Sequence, residues 1–181
     1  MPNWACGYVE AKGKRAGLLA FADRFLDNFY GADPPATRYF ARSFLAIDKE
    51  SLNDMIRKMT KKNPDEDIAT VAIPVEFAWS AYSCMIDGYP QQFPEKCITL
   101  SEACVQDRVS VHIYTEETGM YFEEDITADS SGEVQSTCVD LKTARCCHCG
   151  CTMGVASFTD LDDLECYECG ETEFEIIEEE K

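Results

Sequence analysis

The sequence predicts an α+β sandwich over residues 1–138 and a second, much smaller unit over residues 139–181. Segments with a two-residue apolar period interleave with segments of helical spacing over the first hundred or so residues. A stretch of strands alone follows, the pattern of an α+β layer arrangement. The chain then closes on two copies of Cys-x-x-Cys-Gly-x-Thr, a short internal repeat with its own logic.

Residues 4–12 alternate around Cys6, Tyr8 and Val9 and form the first strand. Leu18, Phe21, Ala22, Phe25, Leu26 and Phe29 recur at helical spacing. They predict an amphipathic helix over residues 14–30, stopped by Gly31 and Asp33-Pro34-Pro35. Residues 38–47 are aromatic and apolar, with Tyr39, Phe40, Phe44, Leu45 and Ile47, and suit a strand. Leu52, Met55, Ile56 and Met59 mark a second helix, with Ser51 as its cap, Arg57, Lys58, Lys61 and Lys62 near its negative end, and Asn63-Pro64-Asp65 as its stop. Residues 68–77 form a strand that Pro74 pushes toward an edge or a bulge. Residues 78–89 fit either period and are assigned a short helix. Thr99-Leu100-Ser101-Glu102 is a capping box, so a helix to Arg108 follows. Val109, Val111 and Ile113 share one face of a strand, and residues 120–126 return as its partner beyond Thr118-Gly119. Ser130-Ser131-Gly132 turns into a last strand at residues 134–139.

The repeat consists of Cys146-Cys147-His148-Cys149-Gly150-Cys151-Thr152 and Cys166-Tyr167-Glu168-Cys169-Gly170-Glu171-Thr172. Two residues between cysteines let both thiolates of a pair reach one ion. Gly150 and Gly170 permit a left-handed turn behind the second ligand. Sixteen residues separate Cys149 from Cys166, within the spacing of four-cysteine zinc sites. Cys146, Cys149, Cys166 and Cys169 are therefore the expected ligands of one structural Zn²⁺, with no coordination position left for catalysis. Cys147, His148 and Cys151 break the symmetry of the halves and are set aside as non-ligands. Val155, Phe158, Leu161, Leu164, Phe174 and Ile176 offer only a tiny core, which a metal would complete. Lys142 or Arg145 is the expected counterion to the anionic cluster.

The chain of 181 residues has 11 cysteines and a formal charge of −18. No apolar run reaches the ~20 residues of a membrane span, and the N-terminus lacks the basic and apolar regions of a signal peptide. A cytoplasmic location follows as the expectation, with Cys6, Cys84, Cys97, Cys104 and Cys138 as buried small hydrophobes. Residues 1–64 hold 11 Lys and Arg against 7 Asp and Glu, whereas residues 65–181 hold 5 against 27. So acidic a second part disfavours nucleic acid and favours a protein with a basic surface.

Catalytic signatures are scarce. No phosphate-binding glycine loop, nucleophile elbow or His-Glu-x-x-His occurs. His112 is an isolated, outward-facing residue. Glu116, Glu117, Glu123, Glu124 and Asp125 flank a hairpin and read as solvated charges, with metal-dependent acid–base chemistry as the sharper alternative. Trp79-Ser80-Ala81-Tyr82-Ser83-Cys84 reads as core packing with a cap at Ser80, or else as a binding notch.

Met1-Pro2-Asn3-Trp4, with Lys12-Gly13-Lys14-Arg15 leading into a helix, resembles small proteins carried by bacterial conjugative elements, phages and plasmids. Residues 78–85 (Ala-Trp-Ser-Ala-Tyr-Ser-Cys-Met) and 114–122 (Tyr-Thr-Glu-Glu-Thr-Gly-Met-Tyr-Phe) resemble the same family in the same order. That family is described as having a YubB-type ferredoxin-like domain. The resemblance covers roughly residues 1–138. It implies a ferredoxin-like two-layer sandwich with helices on one face, and brings no cofactor, activity or catalytic residue; residues 139–181, expected to form a small zinc ribbon with an acidic tail, are an appendage. The expected function is a non-enzymatic interaction module accessory to a mobile genetic element. An acidic DNA mimic that inhibits a host DNA-binding or defence enzyme, and an enzyme using the hairpin carboxylates, are the alternatives.

Overall fold

The computed structural model describes residues 3–27, 38–60, 67–118, 120–156 and 159–177. At its centre lies β1 (Trp4–Lys14), antiparallel to β3 (Ile68–Ala78) on one side and to β4 (Ser110–Glu117) on the other. β2 (Ser43–Leu45) flanks β3, while β5 (Phe122–Ala128) and β6 (Val134–Asp140) extend the sheet beyond β4. The six strands run in the order β2-β3-β1-β4-β5-β6, every pairing antiparallel. A mixed α+β architecture built on one large antiparallel sheet results.

Strict alternation sends Val9, Ala11, Val71, Ile73, Val111, Ile113 and Ile126 to one face. On that face they meet Leu18 and Phe21 of α1 (Arg15–Ala22), Leu52 and Ile56 of α2 (Lys49–Met59), Met85 of α3 (Ala81–Met85) and Leu100 of α5 (Leu100–Asp107) in one core. A four-residue helix, α4 (Tyr89–Gln92), follows α3. Gly7 permits the close pairing of β1 with β4, since a Cβ there would lie 1.9 Å from the Tyr114 carbonyl oxygen. None of the core residues lies on the opposite face. That face carries Tyr8 and Tyr114 (centroids 5.3 Å apart) and His112, whose Nε2 lies 2.8 Å from Asp125 Oδ1. His112 is thus tied across to β5 and stacked on Tyr114 at 3.9 Å, rather than isolated.

Several elements are shorter than their sequence pattern. α1 ends at Ala22, because Phe25 leaves the helix to pack with Phe21 and Phe40 at 5.7 and 5.0 Å, while the Arg24 carbonyl takes the Phe40 N–H. The stop at Gly31 and Asp33-Pro34-Pro35 lies outside the described residues, as do Phe29, Lys61, Lys62 and Asn63-Pro64-Asp65. Asp48, not Ser51, caps α2: its carboxylate accepts the Ser51 N–H at 2.8 Å. Pro74 sits in an interior strand. Its carbonyl accepts the Ala46 N–H, so its nitrogen faces the same side, just past the end of the β2 ladder, where no donor is required. The capping box at Thr99 and Glu102 forms as expected.

Arg24 and Asp107 form a buried bidentate pair at 2.5 and 2.8 Å, tying the chain after α1 to the end of α5. Beyond β6, a second sheet places β7 (Lys142–Cys146) between β8 (Thr152–Val155) and β9 (Phe174–Ile177). Besides Cys146 and Cys166, its buried residues are Leu141, Ala144, Val155 and Ala156. Ile176 is exposed, Leu161, Leu164 and Phe174 are half-buried, and Phe158 lies outside the described residues. Among the described residues no helix is long and apolar enough to cross a membrane.

Candidate metal centre and aromatic notch

The two cysteine repeats fold alike. In the first, the Gly150 N–H bonds the Cys146 carbonyl at 2.9 Å and the Cys146 N–H bonds the Cys151 carbonyl at 2.8 Å. In the second, the Gly170 N–H bonds the Cys166 carbonyl at 2.7 Å and the Cys166 N–H bonds the Glu171 carbonyl at 2.8 Å. Gly150 and Gly170 stand at φ +76° and +74°, the left-handed conformation that made glycine the expected residue. The Cys147 N–H reaches the Glu173 carbonyl at 2.9 Å and joins the halves.

Folding this way brings the sulfurs of Cys146, Cys149, Cys166 and Cys169 within 4.8 Å of one another. Across the two repeats, Cys146 lies 3.7 Å from Cys169 and Cys149 lies 3.6 Å from Cys166. A tetrahedron of sulfurs about 2.3 Å from a central ion has edges of about 3.8 Å, so this cluster has the size of a metal site. Cys146 and Cys166 are buried and Cys149 and Cys169 are exposed, so the cluster sits at the surface of its small unit. Cys147, His148 and Cys151 are not part of it. Arg145, one of the two expected counterions, instead pairs with Glu175 on β9 at 2.5 Å.

The hairpin carboxylates divide. Register places Glu116, Glu123 and Asp125 on the outer face and Glu117 and Glu124 on the core face. The solvated reading is wrong for three of them, since Glu117, Glu123 and Glu124 are buried. Glu117 accepts the Met120 N–H. Burial, and then the facing Glu123 charge, push the Glu116 carboxyl above its ordinary range.

Glu124 is the most informative. It is 3% exposed and receives the Ala81 N–H (2.7 Å), the Tyr82 N–H (3.2 Å) and the Thr115 hydroxyl (3.1 Å). Burial nevertheless outweighs these donors and raises its pKa. Above it opens a notch of about 350 Å³ walled by Trp79, Tyr82, Met120 and Phe122, with Asn3 and Cys138 at its rim. Three chain-distant segments that each looked distinctive in sequence therefore meet here. Ser80 does cap α3, accepting the Ser83 N–H at 3.0 Å. Trp79 and Tyr82, however, are 43% and 40% exposed, so core packing does not account for them. Trp79 also stands at φ +99°, a conformation rare for a bulky residue, held by its N–H on the Asn3 carbonyl at 2.9 Å. Strain of this kind concentrates at functional sites. The sequence carried no signal for Glu124 as the floor of a notch, because the pairing of β5 with α3 is non-local.

Cys84, Cys97 and Cys104 are buried as expected, and burial pushes the Cys84 and Cys104 thiols up to about 12. Cys6 and Cys138 are exposed: Cys6 points to the outer face of β1, and Cys138 lies on the edge strand β6. Compared with protein-family models, with curated proteins and with solved structures, the chain finds no match.

Proposed function

We propose that this protein is a non-enzymatic interaction module, in which the four-cysteine cluster binds one structural zinc ion and the aromatic notch docks a partner protein with a basic surface. The observation that carries the reading is the notch. Exposed Trp and Tyr over a buried carboxylate have the composition of an interface hot spot. Clustered exposed apolar side chains, here Trp79, Tyr82 and Met120, mark interaction surfaces on proteins. The charge of residues 65–181, 5 basic against 27 acidic, selects a cationic partner.

Zinc is favoured by four thiolates at tetrahedral spacing with both repeats closed by glycine. The sheet order β2-β3-β1-β4, all antiparallel with helices on one face, supports a ferredoxin-like core to which α2, β5 and β6 are additions. A role as an accessory protein of a bacterial mobile element, in the cytoplasm, fits this reading through the resemblance already described.

Metal analysis of the purified chain should give one zinc per molecule, released on Cys166→Ser together with Cys169→Ser. Captured partners should be basic proteins retained by the wild type and lost by Trp79→Ser with Tyr82→Ser at unchanged melting temperature. Partners that are uniformly acidic, or that bind the double variant equally well, would overturn the docking reading. Protein without metal would overturn the zinc reading.

A further inference from the structure

At the end of the sandwich where α1 begins, an open cavity of about 550 Å³ straddles the sheet end, with Lys12, Lys14, Ile68 and Ser110 from the outer face of the strands and Ala16, Gly17 and Arg108 from the helix side. Its walls come from the C-terminal end of β1, the start of β4, the first turns of α1 and the residue after α5. Lys12, Lys14 and Arg108 all line it. Among the described residues, none of these three side chains makes an ion pair. Gathering like charges costs mutual repulsion. Three exposed cations on one cavity wall, none of them in an ion pair, in a chain of net charge −18, form a local field opposite in sign to the net charge of the molecule. The one acid in the wall, Asp107, has both oxygens taken by Arg24.

Two further features point the same way. Arg108 holds its side chain at the rim from a left-handed backbone position, φ +55°, where glycine would be the relaxed choice. The first turn of α1, whose Ala16 and Gly17 lie in the wall, has no acidic residue and no side-chain cap, because Lys14 occupies the cap position. That helix start therefore brings no counter-charge to the three cations. Ser110 and Ser130 supply neutral hydroxyls, and Ala16, Ala20 and Ile68 supply an apolar wall. The volume is that of a small-molecule site.

We propose that this cavity binds a small phosphorylated ligand, its phosphoryl group held by Lys12, Lys14 and Arg108 and its body against the apolar wall. The site is remote in sequence and composition from the aromatic notch, so its failure leaves the docking reading standing, and the reverse.

The test uses the full-length, metal-loaded protein. Inorganic phosphate, a pentose 5-phosphate and a nucleoside 5′-monophosphate are titrated separately and followed by ³¹P NMR and calorimetry at constant ionic strength in chloride. Saturable binding of one equivalent is expected from at least one of them. Arg108→Gly keeps the backbone conformation, so it should melt no lower than the wild type while binding falls about tenfold or more. Lys12→Gln with Lys14→Gln should do the same, whereas Lys49→Gln, outside the cavity, should bind as the wild type does. Absence of saturable binding from all three ligands would overturn the proposal, as would binding that survives both cavity variants.

Discussion

Replacing Glu124 by Gln isolates the contribution of its charge, because shape and volume are kept. The carboxylate takes two backbone donors and one hydroxyl with both of its oxygens. A glutamine retains one acceptor oxygen and presents an N–H where the other stood, so at least one donor at the start of α3 loses its partner. A buried unsatisfied donor costs about 1–3 kcal/mol, and the charge-assisted character of the remaining bonds is lost as well. Removing a buried charge offsets part of this. The balance is a loss of about 2 kcal/mol, or about 4–8 °C in melting temperature for a chain of this size. Glu124→Ala orphans all three donors and should cost more. pH adds a second signature. The folded pKa of Glu124 is raised, so the stability of its neutral form is present below the ordinary carboxylate range and is lost as pH rises through the folded value. Glu124→Gln should flatten that part of the stability–pH curve, by at most about 1.4 kcal/mol per pH unit. Thermal melts by circular dichroism between about pH 4 and pH 8 read both effects. A Gln variant that melts with the wild type at neutral pH, with an unchanged pH profile, would refute the assignment of Glu124 as the clamp beneath the notch.

Arg24→Met should destabilise by about 3–5 kcal/mol by stranding the buried Asp107 charge, and Arg24→Met with Asp107→Leu should recover much of the loss in chemical denaturation. Asp48→Ala should cost about 1 kcal/mol through the α2 cap, while Ser51→Ala, which leaves the backbone donor in place, should cost much less by the same assay. Gly150→Ala meets no atom within 4 Å, so its penalty is the left-handed backbone alone, about 1–2 kcal/mol, read as weaker zinc retention against a competing chelator. Gly7→Ala drives a methyl into the Tyr114 carbonyl and should abolish the soluble folded protein, as judged by recovery and exchange protection of β1.

Local signals in the sequence proved legible where one interaction dominates. Thr99 and Glu102 need only each other to cap α5, and the cysteine repeats carry their own glycines, so both were readable without knowledge of the fold. Alternation at Val109, Val111 and Ile113 likewise fixed which face of β4 is buried. Reading failed where tertiary contacts compete with periodicity. Phe25 continues the helical spacing of α1 yet serves an aromatic cluster with Phe40, outside that helix altogether. Glu123 and Glu124 look like solvent-facing charges in any single-sequence view. Their burial depends on β6, the next strand in the chain, and on α3, which arrives from some way upstream. The three cations of the β1 cavity belong to two segments nearly a hundred residues apart, and only the sheet register brings Lys12 opposite Ser110.

The position of β1 has a consequence for how the protein is made. The strand at the middle of the sheet precedes the other five in the chain, yet its neighbours span residues 68–78 and 110–117. During synthesis it therefore lacks its first neighbour until residue 78 has been made and its second until residue 117. Long-range pairing of this kind is paid for in loop closure before any ladder forms, so the sheet should assemble late and slowly, with its apolar central ribbon exposed in the meantime. Chaperone dependence during expression, and sensitivity of yield to translation rate, are the practical expressions of that topology.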